Sequence, residues 1–143
     1  MIEVTRRYSF SASHRLNSPA LSEQQNSDLF GKCNNPHGHG HNYELFVTVS
    51  SEVDVVTGLA VDRERLDKLV QQTVLQRVDH QDFNRDVPEF QGLLIPTTEN
   101  VSFEIFRWLA EAWAAEFNGN VPRLEKVRIG ETARNIFEVT RNA

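Results

Sequence analysis

The stretch 42–51 constrains the fold most, because its side chains alternate between apolar and polar with a period of two. One face of this stretch carries Tyr43, Leu45, Val47 and Val49. Successive side chains of a β-strand point to opposite faces of a sheet. The pattern therefore predicts a strand that lays one face on a hydrophobic core.

The other patterns predict an α+β fold. Residues 17–36 are rich in Asn, Ser and Pro without a sustained period, which favours a long loop. The remaining predicted elements are a strand at 2–15, an amphipathic helix after an Asp62 N-cap, a helix after Thr98, and strands at 125–131 and 135–140. This order predicts an antiparallel four-stranded sheet with two helices on one face.

Composition bounds the function. A chain of 143 residues is one ordinary domain, 1–143, and its net charge of −5 disfavours nucleic-acid binding, which needs clustered basic residues. Cys33 is the only cysteine, as expected in a reducing compartment. No signal peptide and no membrane-spanning run is evident. We therefore expect a cytoplasmic protein without a membrane partner.

Three of the five histidines, His37, His39 and His41, alternate with glycines just before the strand at 42–51. In an extended segment, residues two apart project to the same side, so these imidazoles can converge. Three protein ligands with an open position are typical of catalytic zinc. Spacing alone leaves open whether all three bind the metal or two of them bind it with His14. A flexible polar loop with surface histidines is the simpler alternative.

Other polar residues are candidates for chemistry. Cys33 could be a metal ligand, a nucleophile or base, or an inert thiol, and its polar neighbours favour a reactive thiolate. Asp79 and His80 follow the first long helix and could equally be a polar helix end, because adjacent residues of a helix or strand do not face each other. Glu131 lies among apolar strand positions, where a carboxylate could grip a guanidine-like pair of N–H groups or simply face solvent.

The segment 97–100 reads first as a helix start. Thr97 or Thr98 would cap the second long helix, and Glu99 would place a negative charge in its first turn. Free N–H groups at a helix start can also bind ligands.

These pieces together resemble the 6-pyruvoyl-tetrahydropterin synthase family over nearly the whole chain. The matching motifs are FSASHRL at 10–16, GKCNNP at 31–36, GHGHNY at 38–43, VDH at 78–80, TTEN at 97–100 and ET at 131–132. Each motif is weak alone, whereas six in the family's order and near its spacing are specific.

The resemblance implies a T-fold, or tunnelling fold, in which three subunits close their sheets into a barrel and two rings stack into a homohexamer. It implies Zn²⁺ bound by His14, His39 and His41, with His37 as a neighbour. The implied reaction converts 7,8-dihydroneopterin triphosphate to 6-pyruvoyl-tetrahydropterin with release of triphosphate.

The resemblance also implies residue roles. The family's catalytic cysteine matches Cys33, and its Asp-His partners match Asp79 and His80, which in such a ring may belong to a neighbouring subunit. Its pterin-gripping glutamate matches Glu131. The segment with Thr97, Thr98 and Glu99 is expected near the same pocket.

Two alternatives stay open at this point. The sister enzyme, 6-carboxytetrahydropterin synthase of queuosine biosynthesis, shares the substrate and the zinc site. It typically has a shorter interval between the cysteine and the His-Gly-His motif than the five residues between Cys33 and His39, so the pyruvoyl reaction is favoured. A non-catalytic zinc domain that binds pterins or a partner would need a closed site with four protein ligands.

Overall fold

The computed structural model describes residues 1–119 and 121–142, and a single sheet with strand order β3-β1-β2-β4-β5 lies at its centre. The strands are β1 Ile2–His14, β2 His39–Ser51, β3 Gln81–Asp82, β4 Arg123–Gly130 and β5 Ile136–Thr140. All neighbours are antiparallel except β3, which pairs parallel with β1. The α+β prediction is confirmed. The sheet has a fifth strand because β3 is too short to produce a period-two pattern.

Five α-helices accompany the sheet within the described residues. They are α1 Glu23–Phe30, α2 Arg63–Val70, α3 Gln76–Val78, α4 Phe83–Asp86 and α5 Thr98–Glu116, with a π-helical turn at Gln71–Leu75 and 3₁₀ turns at Gly31–Asn34 and Pro88–Phe90. None of these described helices is long and apolar enough to span a bilayer.

The two longest predicted helices begin at their expected caps. The Asp62 carboxylate accepts a hydrogen bond from the Arg65 N–H at 3.2 Å, and the Thr97 hydroxyl accepts one from the Asn100 N–H at 3.2 Å. Such bonds satisfy N–H groups that have no partner inside the helix. The cap of α5 fixes where this helix starts, and that point lies at the candidate site.

The prediction of an unbroken loop at 17–36 is wrong, because α1 lies within it. Ser22 and Gln25 form a reciprocal capping box at its start. Asn26 is the buried residue of α1, and its side chain donates to the Ser18, Leu21 and Ser22 carbonyls. A helix held by polar contacts has no apolar stripe, so its sequence carries no helical period.

The core lies between one face of the sheet and the helices α2 and α5. Leu45 and Val47 of β2 are fully buried, as are Leu66 of α2 and Ile105 of α5. Full burial of such a side chain contributes about 1.5–3 kcal/mol. The opposite face of β1 and β2 carries the intervening, more exposed side chains.

Several chain segments meet at one end of the sheet. The β1–β2 ladder runs from the pair Ile2 and Ser51 to the pair His14 and His39. Because β4 runs antiparallel to β2, its last residue, Gly130, lies at this same end opposite Glu44. The end of β1, the start of β2 and the residue after β4 are therefore neighbours.

Candidate functional site

The β1–β2 ladder places three imidazoles together. His14 is paired directly with His39, and His41 lies opposite Ala12, so all three side chains are on the core-facing side. The ring centroids of His14 and His41 are 5.2 Å apart, and those of His39 and His41 are 4.7 Å apart. The convergence that the alternating glycines suggested therefore occurs for His39 and His41, together with His14.

His14 is held in the tautomer that suits a metal ligand. Its ring is fully buried, and its Nδ1–H donates to the Pro96 carbonyl at 2.8 Å. The lone pair therefore resides on Nε2, which is buried without a hydrogen-bond partner among the described residues, as is Nε2 of His41. Burial lowers the pKa of both imidazoles, which favours the neutral, metal-binding form.

Cys33 reaches the imidazoles from the 3₁₀ turn Gly31–Asn34. The Leu16 N–H donates to the Cys33 carbonyl at 2.7 Å, and the Asn34 side-chain amide donates to the Leu16 carbonyl at 2.7 Å. These bonds tie the turn to the segment that follows His14. The ligand atoms of His14, Cys33 and His41 consequently all lie within 4.8 Å of one another.

These residues fit a zinc ion. Two buried imidazole nitrogens without partners are costly unless something binds them, and imidazole with thiolate is a donor set that zinc favours. Burial, and secondarily the charge of Glu131, raises the pKa of the Cys33 thiol. Within a single chain this opposes the expectation that Cys33 is a reactive thiolate. His37 is exposed and lies outside the group of three.

Glu131 lies directly after β4 and completes the same site. The Thr98 hydroxyl at the start of α5 donates to the Glu131 carboxylate, and the Glu131 N–H donates to the Asn135 carbonyl at 3.1 Å. Thr98 is only 2% exposed. The Glu131 charge raises the pKa of the Cys33 thiol and opposes the lowering of the His14 and His41 pKa values, so the carboxylate lies near the candidate metal site.

Thr97 and Glu99, the other two predicted residues at the start of α5, form no hydrogen bond to Glu131 within the described chain, whereas Thr98 does. Thr97 is occupied as the helix cap, and Glu99 is exposed on the first turn of α5.

The sequence interpretation missed Tyr43, which follows His41 on the same strand face. Its ring is 1% exposed, and its hydroxyl is buried with no partner in the described chain. Burial and Glu131 raise its pKa, so the hydroxyl is a neutral donor facing the site.

Asp79 and His80 contact each other, contrary to the expectation for adjacent residues. His80 has a left-handed backbone with φ of 60°, and its Nδ1 lies 3.1 Å from Oδ1 of Asp79. Both are anchored to Ser11: its N–H donates to the Asp79 carboxylate at 3.0 Å, and its carbonyl accepts from the His80 N–H at 2.6 Å.

This pair does not meet Cys33 within one chain. The His80 side chain is 82% exposed and lines a cavity of about 510 Å³ together with Ser11, Ser13 and Asn42. Ser11, Ser13 and Asn42 alternate with the residues that carry the imidazoles, so the His80 side chain lies beside side chains of the other sheet face, while Ala12 and His41 also line the cavity.

The family comparison covers almost the entire chain. The protein-family model described as 6-pyruvoyl tetrahydropterin synthase matches residues 3–142 of this chain. The chain belongs to the 6-pyruvoyl tetrahydropterin synthase family. The resemblance found in the sequence motifs is therefore confirmed.

Relatives of this family are similar along most of their length. The human 6-pyruvoyl tetrahydrobiopterin synthase is 45% identical over 134 residues, covering 94% of this chain and 88% of the human protein. The Drosophila melanogaster protein of the same name is 43% identical, covering 94% of this chain and 76% of its own length.

Solved structures of the synthase family share the fold. The Caenorhabditis elegans 6-pyruvoyl tetrahydropterin synthase superposes with a TM-score of 0.86 at 38% identity, covering 99% of this chain and 96% of that one. The Plasmodium falciparum enzyme superposes with a TM-score of 0.63 at 16% identity, covering 99% and 98%, which supports the fold alone. The predicted T-fold is confirmed.

Proposed function

We propose that this chain is a zinc-dependent 6-pyruvoyl tetrahydropterin synthase. It converts 7,8-dihydroneopterin triphosphate to 6-pyruvoyl-tetrahydropterin and releases inorganic triphosphate. The observation that carries the proposal is the group of His14, Cys33 and His41, assembled beside Glu131 in a chain of this family. A thiol, two imidazoles with unpartnered nitrogens and a carboxylate near one another suit proton removal from a bound, polarised substrate.

The proposed zinc ligands are His14, His39 and His41. The Pro96 carbonyl orients His14, and the β1–β2 register holds His39 against His14. When bound, zinc would act as a Lewis acid that polarises a side-chain oxygen of the pterin and acidifies the neighbouring C–H bond. Three protein ligands would leave a zinc ion with an open position for substrate.

Cys33 is the proposed base, and its sulfur removes the proton from the pterin side chain. Burial raises the pKa of this thiol, so a nearby cation or imidazole must help to deprotonate it. His80, oriented by the Asp79 carboxylate at 3.1 Å, is the proposed partner. Because His80 lies beside side chains of the other face of its own sheet, we assign the pair to the site of a neighbouring subunit.

Glu131 is the proposed anchor for the pterin ring. A pterin presents adjacent N–H donors from its 2-amino group and ring nitrogen, and a carboxylate accepts two parallel bonds from such an edge. The Thr98 hydroxyl donates to one carboxylate oxygen and thereby fixes the orientation of the group. Thr97 and Glu99 complete the proposed pocket wall, Thr97 by capping α5.

The proposed assembly is a homohexamer, a dimer of trimers, formed from one pterin synthase domain at 1–143. The edges of the sheet in one chain are β3 and β5. An unpaired edge exposes backbone N–H and C=O groups, and closing sheets into a ring removes it. A single cysteine suits a reducing compartment, and we propose the cytoplasm.

Product analysis tests the function. Purified zinc-loaded protein is incubated with 7,8-dihydroneopterin triphosphate, and the pterins and phosphates are separated and identified. Appearance of the 6-pyruvoyl product with stoichiometric triphosphate supports the proposal. A 6-carboxy product would assign the chain to the sister reaction, and recovery of unchanged substrate would reject catalysis.

A further inference from the structure

A second cavity, of about 460 Å³, lies where β1 ends and β2 begins, and Arg15, His37, Asn84 and Arg85 are among its lining residues. It lies beside the His80 cavity, with which it shares the lining residue Asp82. Arg15 follows His14 directly, and Gly38, which also lines the cavity, precedes the paired residue His39. The volume is within the range of small-molecule sites.

The two guanidinium groups of this cavity form no salt bridge with a carboxylate of the described residues. Salt bridges to side-chain carboxylates within the described residues use other arginines, namely Arg6, Arg7, Arg65, Arg77, Arg107, Arg123 and Arg141. The Nε of Arg15 is moreover buried without a hydrogen-bond acceptor in the described chain. Buried donors are normally satisfied, so an unpaired guanidinium N–H in a cavity points to a missing anionic ligand.

The one carboxylate that lines the cavity is already engaged. Asp82 accepts a hydrogen bond from the Ser13 hydroxyl at 2.8 Å on one oxygen and from the Arg85 N–H at 3.0 Å on the other. Its charge thus caps α4 and holds β1, and its side chain forms no ion pair with either guanidinium.

The backbone around Arg15 is fixed on both sides. The Asn84 side chain accepts from the Arg15 N–H at 2.7 Å and donates to the Arg15 carbonyl at 3.0 Å. Gly38 has φ of 80°, and a Cβ there would lie 2.8 Å from the His14 carbonyl oxygen. The glycine therefore permits the close backbone approach that forms this wall of the cavity.

We propose that the cavity of Arg15 and Arg85 binds the triphosphate group of the pterin substrate. The inference rests on the proposed function and names residues for the leaving group. A planar guanidinium matches phosphate oxygens bidentately, and such charge-assisted bonds are the strong ones. Arg15 and Arg85 each supply paired N–H donors, and the His37 ring can add a further N–H donor. A substrate at the metal site of the neighbouring subunit, to which we assign His80, would extend its phosphates toward this cavity, which shares Asp82 with the His80 cavity.

The test titrates sodium tripolyphosphate into zinc-loaded protein and into two variants, Arg15→Gln and Arg85→Gln. The matched control is Arg63→Gln, which removes an exposed guanidinium from α2. Hydrogen bonds between charged groups are strong enough that each cavity variant should weaken binding about tenfold or more, while the control should not change it. Wild-type binding should also weaken with added salt. Zinc content is measured after each titration, because triphosphate itself chelates zinc.

Unphosphorylated 7,8-dihydroneopterin separates the cavity from the pterin pocket. We expect the cavity variants to bind it as the wild type does and to show a raised KM for the triphosphate substrate. If Arg15→Gln lost its zinc or its fold, the tripolyphosphate affinity of Arg85→Gln, whose substituted side chain is exposed, would be the deciding measurement. Unchanged tripolyphosphate affinity in Arg85→Gln would then overturn the proposal.

Failure of the inference and failure of the proposed function give different results. Normal catalysis with equal tripolyphosphate affinity in wild type and both variants would overturn the cavity assignment alone. Loss of tripolyphosphate binding in the variants of a protein that makes no pterin product would support a triphosphate site and reject the reaction.

Discussion

His14 and His39 are direct cross-strand partners, yet the group of ligand atoms that lies within 4.8 Å contains Cys33 together with His14 and His41. The His39 ring is nevertheless only 4.7 Å from that of His41, centroid to centroid. The third ligand is therefore either His39, as proposed, or Cys33. The two arrangements differ chemically, because a thiolate that binds zinc is not a free base.

We expect purified protein to contain about one zinc per chain and His39→Ala to release it, as should His14→Ala and His41→Ala. Zinc held by three protein ligands should be released when any one of them is removed, because two remaining ligands bind it too weakly. Metal analysis after dialysis against a weak chelator measures this. The control is His37→Ala, whose side chain is exposed and should leave zinc content unchanged. Zinc retained by His39→Ala would identify Cys33 as the third ligand.

Cys33→Ala should keep zinc, fold and assembly while losing most of the pyruvoyl product. Its sulfur is the proposed base, and general-base catalysis typically contributes about 10²–10⁴-fold to the rate. Product formation and metal content are measured on the same preparation. If zinc left together with the activity, the thiol would be a ligand and the site would be of the closed type.

The sequence predicted the sheet well and parts of the site less well. Strands such as 42–51 carry a period-two pattern, and α5 begins at a recognisable Thr cap. The Asp79–His80 contact was missed, because it depends on the positive φ of His80, which no residue pattern shows. Tyr43 was interpreted as core, and only the fold shows that its hydroxyl faces the site.

The free energy of unfolding should decrease in acid, in part because Asp67 becomes protonated. Arg6 donates to both of its oxygens, at 3.1 and 2.6 Å, and the Tyr8 hydroxyl donates at 2.6 Å. The hydrogen bonds from Arg6, more than those from Tyr8, hold the Asp67 pKa below its usual value. A depressed folded-state pKa means that the stabilisation is present above the unfolded pKa near 3.9 and is lost as the pH falls through the folded value.

We therefore expect Asp67→Asn to lower the free energy of unfolding by about 1 kcal/mol at pH 7, a modest value because solvent screens this half-exposed pair. The difference from wild type should vanish at a pH below the folded pKa. Denaturant unfolding at several pH values measures it. Glu3→Gln, an exposed change on the strand that carries Arg6, is the control and should be nearly silent at every pH. A deficit of Asp67→Asn that persisted in acid would show that lost packing is responsible.

Glu131→Gln should retain zinc and assembly but bind pterins at least about tenfold more weakly. The amide replaces one acceptor with a donor that opposes the N–H of the ring, and hydrogen bonds to charged groups contribute about 1.5–3 kcal/mol each. Thr98→Val should weaken binding less, because it removes only the hydroxyl that orients the carboxylate. Titration of a pterin measures both, with Glu138→Gln on β5 as the control. Equal affinities would show that Glu131 does not anchor the substrate.

The position of His80 predicts an active site shared between subunits. Its side chain is 82% exposed and lies outside the group of ligand atoms that contains Cys33, so we expect it to act in the site of another chain. Light scattering at micromolar concentration should give the mass of a hexamer. Cys33→Ala and His80→Ala homo-oligomers should each be nearly inactive. Co-expression with two different affinity tags, followed by purification over both, yields mixed oligomers.

In a mixed oligomer, some interfaces combine an intact Cys33 from one chain with an intact His80 from the other, so activity should return. Mixing two batches of the same variant supplies the control, since no interface then has both groups. Zinc content should be equal throughout, because neither change removes a proposed ligand. Mixed oligomers that stayed inactive, or a monomeric mass for the wild type, would place the catalytic groups of each site in a single chain and reject the shared arrangement.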